Sequence, residues 1–245
     1  MNEKQIFNIL ENFNVVVHYQ PILCNKSKSL HKHEALMRLT DGAEIILPDV
    51  FMQKSKEHGT YNELSKKMIL IVFSDLKKYK FLNVSINISM LNIVDIEFCK
   101  FLFLELKSIQ NLERITLEFI ETDKIDFKRA VIFLNELKKI GIKISIDDFG
   151  TGYSNFENLL HFDFDYLKID GQIIKNIHNK KNESIVHSIL SFCKIHDVKI
   201  IAKHVENESI YNKVCELDIE FSQGFYVAKP SANLIREITL KKRGL

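Results

Sequence analysis

The segment 143-KISIDDFGTGYS-154 begins as an alternating strand, ends that strand in two carboxylates and continues into a loop with two glycines. Adjacent carboxylates repel each other unless a nearby cation neutralises them. Gly150 and Gly152 allow the loop backbone to adopt conformations that other residues rarely reach. This order of strand, Asp147-Asp148 pair and flexible loop is typical of a site for a hard metal ion that lies beneath a lid.

The alternation recurs in other predicted strands and decides between two folds. In segments 83–89, 114–118 and 143–147, the second and fourth residues are apolar and their neighbours are polar. Central strands of an open doubly wound sheet are covered on both faces and read as continuous apolar runs. These strands instead have one apolar and one polar face. The pattern favours a closed barrel, in which the apolar face meets outer helices and the polar face points inward.

Strands and helices also alternate along the rest of the chain, which favours a parallel sheet. The other strands are predicted at 15–22, 29–38, 165–169, 198–202 and 221–227. Helices are predicted at 62–79, 96–109, 127–140, 156–160, 184–196, 208–216 and 232–240. Barrel active sites collect at the carboxyl ends of the strands. Asn87, Glu118, Asp147 and Lys168 are therefore expected on one rim.

Composition narrows the functional classes. The chain has 245 residues, 46% hydrophobic, with a formal net charge of +2, and we expect residues 1–245 to form a single domain. It lacks the concentrated basic patch of a protein that binds a nucleic-acid polymer. The four cysteines form no C-x-x-C pair, which argues against a zinc knuckle or a dithiol redox site. Without an apolar run long enough to span a membrane or a signal peptide, we expect no membrane insertion and a cytoplasmic location.

Several short motifs occur together in a specific order. They are Tyr19-Gln20-Pro21-Ile22, Glu34-Ala35-Leu36-Met37-Arg38, Asn87-Ile88-Ser89, Glu118-Phe119-Ile120-Glu121, the Asp147–Ser154 segment, Lys168-Ile169-Asp170, Ala202-Lys203-His204-Val205-Glu206 and Gln223-Gly224-Phe225. With these motifs the chain resembles the EAL domain, a bacterial cyclic di-GMP phosphodiesterase module, along nearly its whole length. The resemblance implies an α/β fold, a modified TIM (β/α)8 barrel with one antiparallel strand. It also implies hydrolysis of cyclic di-GMP to linear pGpG in second-messenger signalling.

The resemblance assigns a role to each matching residue. The implied metal ligands are Glu34, Asn87, Glu118 and Asp147, with Asp148 shared toward a second ion. The implied catalytic residues are Lys168, as general base or water-orienting group, and Glu121, which anchors the loop after Asp148. The implied substrate-binding residues are Gln20, Leu36, Arg38, Glu206 and Gln223. The resemblance further implies a homodimer that is coupled to the loop.

Elementary chemistry is consistent with these roles. The implied ligands all offer oxygen, which suits two Mg²⁺ or Mn²⁺ ions and disfavours zinc. A lysine amid cations can have a lowered pKa, as a general base requires. Arg38 lies four residues from Glu34, so on a strand both side chains share a face and the guanidinium could grip a phosphate.

One motif departs from the family pattern. Where the family usually reads A-E-G-V-E, this chain has Lys203 and His204. A positive charge beside a dication weakens the binding of that ion, so the second metal site is in doubt. A Lys203 side chain that points away from the site is the harmless alternative. Two functions remain open: a phosphodiesterase, with slowed catalysis or an altered ion, and a module that binds cyclic di-GMP or a protein partner without turnover.

Overall fold

The computed structural model describes residues 14–120, 127–150 and 163–240. The strands in these ranges are β1 (Asn14–Cys24), β2 (Leu30–Thr40), β3 (Ile45–Ile46), β4 (Val84–Ile88), β5 (Ile115–Ile120), β6 (Lys143–Phe149), β7 (Tyr166–Ile169), β8 (Lys199–Ala202) and β9 (Phe221–Ser222). The α-helices are α1 (Pro48–Glu57), α2 (Tyr61–Lys78), α3 (Met90–Val94), α4 (Ile96–Leu106), α5 (Phe127–Lys139), α6 (Gly171–Lys175), α7 (Lys180–Ile195) and α8 (Glu208–Glu216), and a 3₁₀ turn spans Leu112–Arg114.

Eight of these strands close into a barrel. Their spatial order is β1-β9-β8-β7-β6-β5-β4-β2, and pairing between β1 and β2 completes the circle. Strand β1 runs antiparallel to both neighbours, whereas the other adjacent barrel strands are parallel. The short β3 extends β2 as a hairpin outside the barrel. The expectation of a modified TIM barrel with one antiparallel strand is therefore confirmed.

The alternating strands bury their apolar face between the barrel and its helices. Val84, Ile86 and Ile88 of β4 are at most 2% exposed and belong to the main hydrophobic cluster. The opposite face of β4 carries Ser85 and Asn87 toward the barrel interior. Helix α2 supplies an apolar stripe with helical spacing to the same cluster: Leu64, Met68, Ile69, Val72, Phe73 and Leu76. Within the described ranges, no helix is both long and apolar enough to cross a bilayer.

Two predicted elements differ from the structure. Segment 232–240 is not helical: Ser231 bridges to Tyr19 of β1, and the residues that follow lie without regular structure. Its apolar side chains, among them Leu234 and Ile238, still pack on the core, so long-range packing outweighs local helix preference. The predicted strand at 221–227 ends after Ser222, where a turn begins. The predicted helix at 156–160 lies outside the described residues.

Candidate active site

A polar cluster fills one end of the barrel, and each barrel strand contributes one side chain to it. The contributors, in the order β1, β2 and β4 to β9, are Gln20, Glu34, Asn87, Glu118, Asp147, Lys168, Lys203 and Gln223, of which Lys203 and Gln223 directly follow β8 and β9. The parity argument thus placed Asn87, Glu118, Asp147 and Lys168 together correctly. The cluster forms because the carboxyl ends of parallel strands meet at one rim.

Glu34 accepts hydrogen bonds from three side chains. Asn87 Nδ2 lies 2.8 Å from Oε1, while Lys168 Nζ and Gln223 Nε2 lie 2.9 and 2.6 Å from Oε2. Burial alone would raise the pKa of Glu34, but the ammonium groups of Lys168 and Lys203 outweigh it and lower the pKa to about 2. Glu34 is therefore a carboxylate anion at neutral pH.

Glu118 is fully buried, and only one of its two carboxylate oxygens accepts a hydrogen bond from a described residue. Lys168 Nζ donates to its Oε2 at 2.5 Å, whereas Oε1 has no hydrogen-bond partner among the described residues. Burial raises the pKa of Glu118 even though Lys168 opposes that shift. The anions Glu34 and Asp147 add to this upward shift of the Glu118 pKa, whereas two ammonium groups and two amide donors lower the pKa of Glu34. A buried carboxylate oxygen without a partner is costly, and a bound cation would relieve that cost.

Lys168 lies at the centre of three carboxylates. Its fully buried ammonium contacts Glu34 and Glu118, and lies 3.7 Å from Oδ1 of Asp147. Burial would lower the pKa of Lys168, but Asp147, Glu118 and Glu34 raise it well above the ordinary value. In this arrangement Lys168 is a cationic hydrogen-bond donor. The lowered pKa predicted from the sequence requires metal cations beside Lys168, and the carboxylates around it are the residues that would hold them.

The cluster fits one hard divalent cation. Single oxygens of Glu34, Glu118 and Asp147 all lie within 4.8 Å of one another, and all three residues are buried. The Asn87 side-chain amide donates a hydrogen bond to Glu34 and adds a further oxygen at the same rim. The unpartnered Oε1 of Glu118 is available as a ligand. Carboxylate and amide oxygens are the ligands that Mg²⁺ and Mn²⁺ accept.

The Asp147-Asp148 pair sits in a break of the β6–β7 ladder. Register shifts between Ile146 and Phe149, and Asp148 has a φ of +55°. Neighbouring side chains of a regular strand point to opposite faces, so a regular strand would separate the two carboxylates. With the left-handed residue, both carboxylates instead reach the Lys203 ammonium. The Lys203 side chain therefore points into the site, and the harmless alternative is excluded.

His204 adopts a conformation that suits glycine. Its φ is +53°, a region that costs a residue with a Cβ roughly 1–2 kcal/mol. The ring of His204 lies against Gly171, where a Cβ would overlap it. Nδ1 of His204 lies 3.7 Å from Oε1 of Glu206, which also pairs with Lys175 at 3.0 Å.

The substrate-binding residues implied by the resemblance are only partly brought together. An open cleft beside the cluster is lined by Gln20, Glu34, Leu36, Lys203, His204, Glu206, Gln223, Gly224 and Phe225. Arg38 does not line this cleft: its Nη1 donates to the Met37 carbonyl at 2.8 Å, and its buried Nε has no partner among the described residues. Glu121 lies outside the described residues.

Sequence reasoning missed Lys32, a buried lysine next to the cluster. Its Nζ lies 3.7 Å from the centre of the Tyr166 ring and 3.2 Å from the Thr116 hydroxyl. Burial lowers the pKa of Lys32 to about 7. The signal was present in the sequence, because Lys32 lies two residues before Glu34 and so shares its strand face.

Comparison with known proteins identifies the family. The sequence profile of the EAL domain matches residues 3–230. The chain belongs to the EAL domain family. A relative, the cyclic di-GMP phosphodiesterase PdeA of Borreliella burgdorferi, is 34% identical over 245 aligned residues, which cover 94% of this chain and 36% of that protein. The Escherichia coli cyclic di-GMP phosphodiesterase PdeF is 31% identical over 206 residues, which cover 81% of this chain and 28% of that protein.

A solved phosphodiesterase structure has a similar fold. The PaMucR phosphodiesterase in complex with c-di-GMP superposes with a TM-score of 0.81 at 26% identity, covering 93% of this chain and 96% of that one. The chain therefore spans roughly a third of the length of the two relatives above. It covers nearly the whole of the chain in this solved structure.

Proposed function

We propose that this EAL domain is a metal-dependent phosphodiesterase that hydrolyses cyclic di-GMP to linear pGpG. The observation that carries the proposal is the buried triad of Glu34, Glu118 and Asp147, with Asn87 beside it and Lys168 at its centre. The names of the phosphodiesterase relatives support the substrate. A buried carboxylate cluster of this kind costs folding free energy, which a function at this place in the fold would explain.

The proposed ligands of a catalytic Mg²⁺ or Mn²⁺ ion are Glu34, Asn87, Glu118 and Asp147. A divalent ion held there supplies Lewis-acid chemistry: it withdraws charge from a phosphoryl oxygen and makes water more acidic. The role of Asp148 toward a second ion is weakened by its contact with Lys203. Which of the two ions, Mg²⁺ or Mn²⁺, the site binds stays a prediction.

The residues of the chain orient the reactants. In the hydrolysis, the oxygen of a water molecule bonds to phosphorus, one P–O ester bond breaks, and the leaving oxygen takes up the equivalent of the proton that the water gives up. Lys168 holds Glu34 and Glu118 in place and can donate a hydrogen bond to water or to a phosphoryl oxygen. Gln20, Leu36, Glu206 and Gln223 line the adjoining cleft, where we propose that the dinucleotide binds. Arg38 donates one hydrogen bond, from Nη1, to the Met37 carbonyl, which leaves its Nε as a donor for a phosphate.

The test is turnover of cyclic di-GMP by the purified protein in Mn²⁺ and, separately, in Mg²⁺, with chromatography of the products. We expect pGpG to accumulate at a rate at least roughly 10²-fold above that of a Glu34→Ala control, which lacks a proposed ligand. A wild-type rate equal to that of the control in both metals contradicts the proposal. Gel filtration of the same sample tests the homodimer that the resemblance implies.

Lys203 favours a second candidate, a domain that binds cyclic di-GMP without hydrolysing it. Its ammonium contacts both aspartates of the pair, which a fully loaded two-metal site would need for ions. Calorimetric titration with cyclic di-GMP under the same conditions separates the candidates. Tight binding with an intact cyclic ligand recovered afterwards supports this reading, whereas recovery of pGpG supports hydrolysis.

A further inference from the structure

The ammonium group of Lys203 already lies where it neutralises the Asp147-Asp148 pair. Its Nζ is 2.9 Å from Oδ1 and 3.0 Å from Oδ2 of Asp147, and 2.5 Å from Oδ1 of Asp148. The Lys203 side chain is 16% exposed and that of Asp147 4%, so solvent screens the contact between them only weakly. Three oxygens of the pair therefore face a cation that belongs to the protein itself.

The backbone around Lys203 is fixed on both sides of the residue. The Lys203 amide donates to the carbonyl of Ile169 at 3.3 Å, and the amide of Val205 donates to that of Gln223 at 3.0 Å. Gln223 in turn donates its own amide to the Ala202 carbonyl at 2.9 Å. Lys203 thus projects from a segment tied to β7 and to the turn after β9. An incoming ion would displace Lys203 less easily than a lysine on a surface loop whose backbone is not held by hydrogen bonds.

The charges of the cluster leave room for one divalent ion. Among the described residues, the carboxylates in direct contact with Lys168 or Lys203 are Glu34, Glu118, Asp147 and Asp148, with a formal charge of −4. The two ammonium groups contribute +2, and the remainder of −2 equals the charge of one Mg²⁺ or Mn²⁺. Two divalent ions would overcompensate the carboxylates and lie against the Lys203 ammonium.

We propose that the Lys203 ammonium replaces a second divalent cation, so that this EAL domain binds one metal ion. The inference rests on the proposed metal-dependent function. The single ion is held by Glu34, Asn87, Glu118 and Asp147. Lys203 is a positioning residue: it holds Asp147 and Asp148 in the arrangement that their mutual repulsion would otherwise oppose.

The test counts Mn²⁺ ions and asks whether they are neighbours. The metal-free full chain is titrated with Mn²⁺ in a calorimeter, and the electron paramagnetic resonance spectrum of the saturated protein is recorded. For the wild type we expect one ion per chain and the hyperfine-split signal of an isolated ion. For Lys203→Glu we expect two ions per chain and a signal broadened by coupling between neighbouring ions, because the new carboxylate adds a ligand where the ammonium lay.

Lys199→Glu is the matched control, since it makes the same charge change at the exposed first residue of β8, the strand that Lys203 directly follows. It should bind one ion, as the wild type does. Two coupled ions in the wild type would overturn the inference, and so would a Lys203→Glu variant that still binds one. A wild type that binds one ion but leaves cyclic di-GMP intact supports the inference and contradicts the proposed function. A wild type that binds no ion overturns both.

Discussion

Gly224 lies directly against the backbone of Val205, where a Cβ on the glycine would overlap the nitrogen and carbonyl oxygen of Val205. The neighbouring amide of Val205 donates to Gln223, and Tyr226 donates back to the Val205 carbonyl at 3.0 Å. This close approach joins the segment that carries Lys203 to the turn that carries Gln223. The site therefore depends on a residue that has no side chain.

Gly224→Ala should destabilise the domain by at least about 2 kcal/mol, because backbone atoms cannot yield as a flexible side chain can. The measurement is the free energy of unfolding from urea titration. Gly42→Ala is the control: Gly42 has a φ of +101° but open space around it, so only backbone strain of about 1 kcal/mol applies. Equal losses in the two variants would show that the contact with Val205 relaxes at little cost.

Lys168→Met should destabilise the metal-free protein by about 3–5 kcal/mol, since it leaves buried carboxylates without their cation. Saturating Mn²⁺ should restore part of that loss, because an ion bound among Glu34, Glu118 and Asp147 supplies positive charge. Thermal unfolding with a chelator and with Mn²⁺ measures both effects. A variant as stable as the wild type in chelator would mean that the three carboxylates do not need Lys168.

Lys32→Met should raise the free energy of unfolding by about 1–4 kcal/mol, because a buried ammonium without an anion in hydrogen-bond contact is costly to desolvate. The Lys32 ammonium contacts the Thr116 hydroxyl and the Tyr166 ring, neither of which is an anion. Urea titration in chelator at neutral pH checks the change. Lower stability in the variant would indicate that the carboxylates of the cluster need the Lys32 charge.

His31 should make the domain less stable in mild acid. Burial and nearby lysines lower its pKa to about 3 from an ordinary 6.5. The unfolded chain therefore binds a proton at His31 that the folded protein does not, and stability falls as the pH drops below 6.5, down to about 3. Between pH 7 and pH 5 this residue should account for a loss of about 2 kcal/mol.

His31→Gln tests this pH dependence, because glutamine keeps a polar group near the Tyr166 hydroxyl and does not titrate. The unfolding free energy of each protein is measured at pH 7 and pH 5. The variant should lose less on acidification than the wild type, while buried His33 contributes equally to both. Identical losses would mean that His31 gains access to water and protonates in the folded state.

The barrel and most of its polar rim were predictable from local patterns. Alternation in β4, β5 and β6 assigned an inward face to each strand, and parallel strands bring equivalent ends together. Asn87, Glu118 and Lys168 follow from that logic alone. The same pattern places Lys32 on the strand face of Glu34, although the sequence prediction gave Lys32 no role.

The remainder depends on tertiary structure that local patterns do not encode. The left-handed backbone at Asp148 turns its carboxylate toward Lys203, although strand parity places it on the opposite face from Asp147. The direction of Lys203 itself was open from the sequence. Segment 232–240 has helical spacing, but its pairing with β1 through Ser231 and its packing on the core set its conformation instead.

The polar cluster takes residues from every strand of the barrel, so it is complete only when the last strand has paired. Gln20 and Gln223 touch across a separation of 203 residues, and Lys168 meets Glu34 across 134. Contacts between such distant parts of a chain form only after long loops have closed. During synthesis, a nascent chain that has not yet reached β9 lacks Gln223 and the closing pairing with β1. The complete cluster therefore exists only in the fully folded barrel. Binding of a cation or a nucleotide to it indicates that folding is complete.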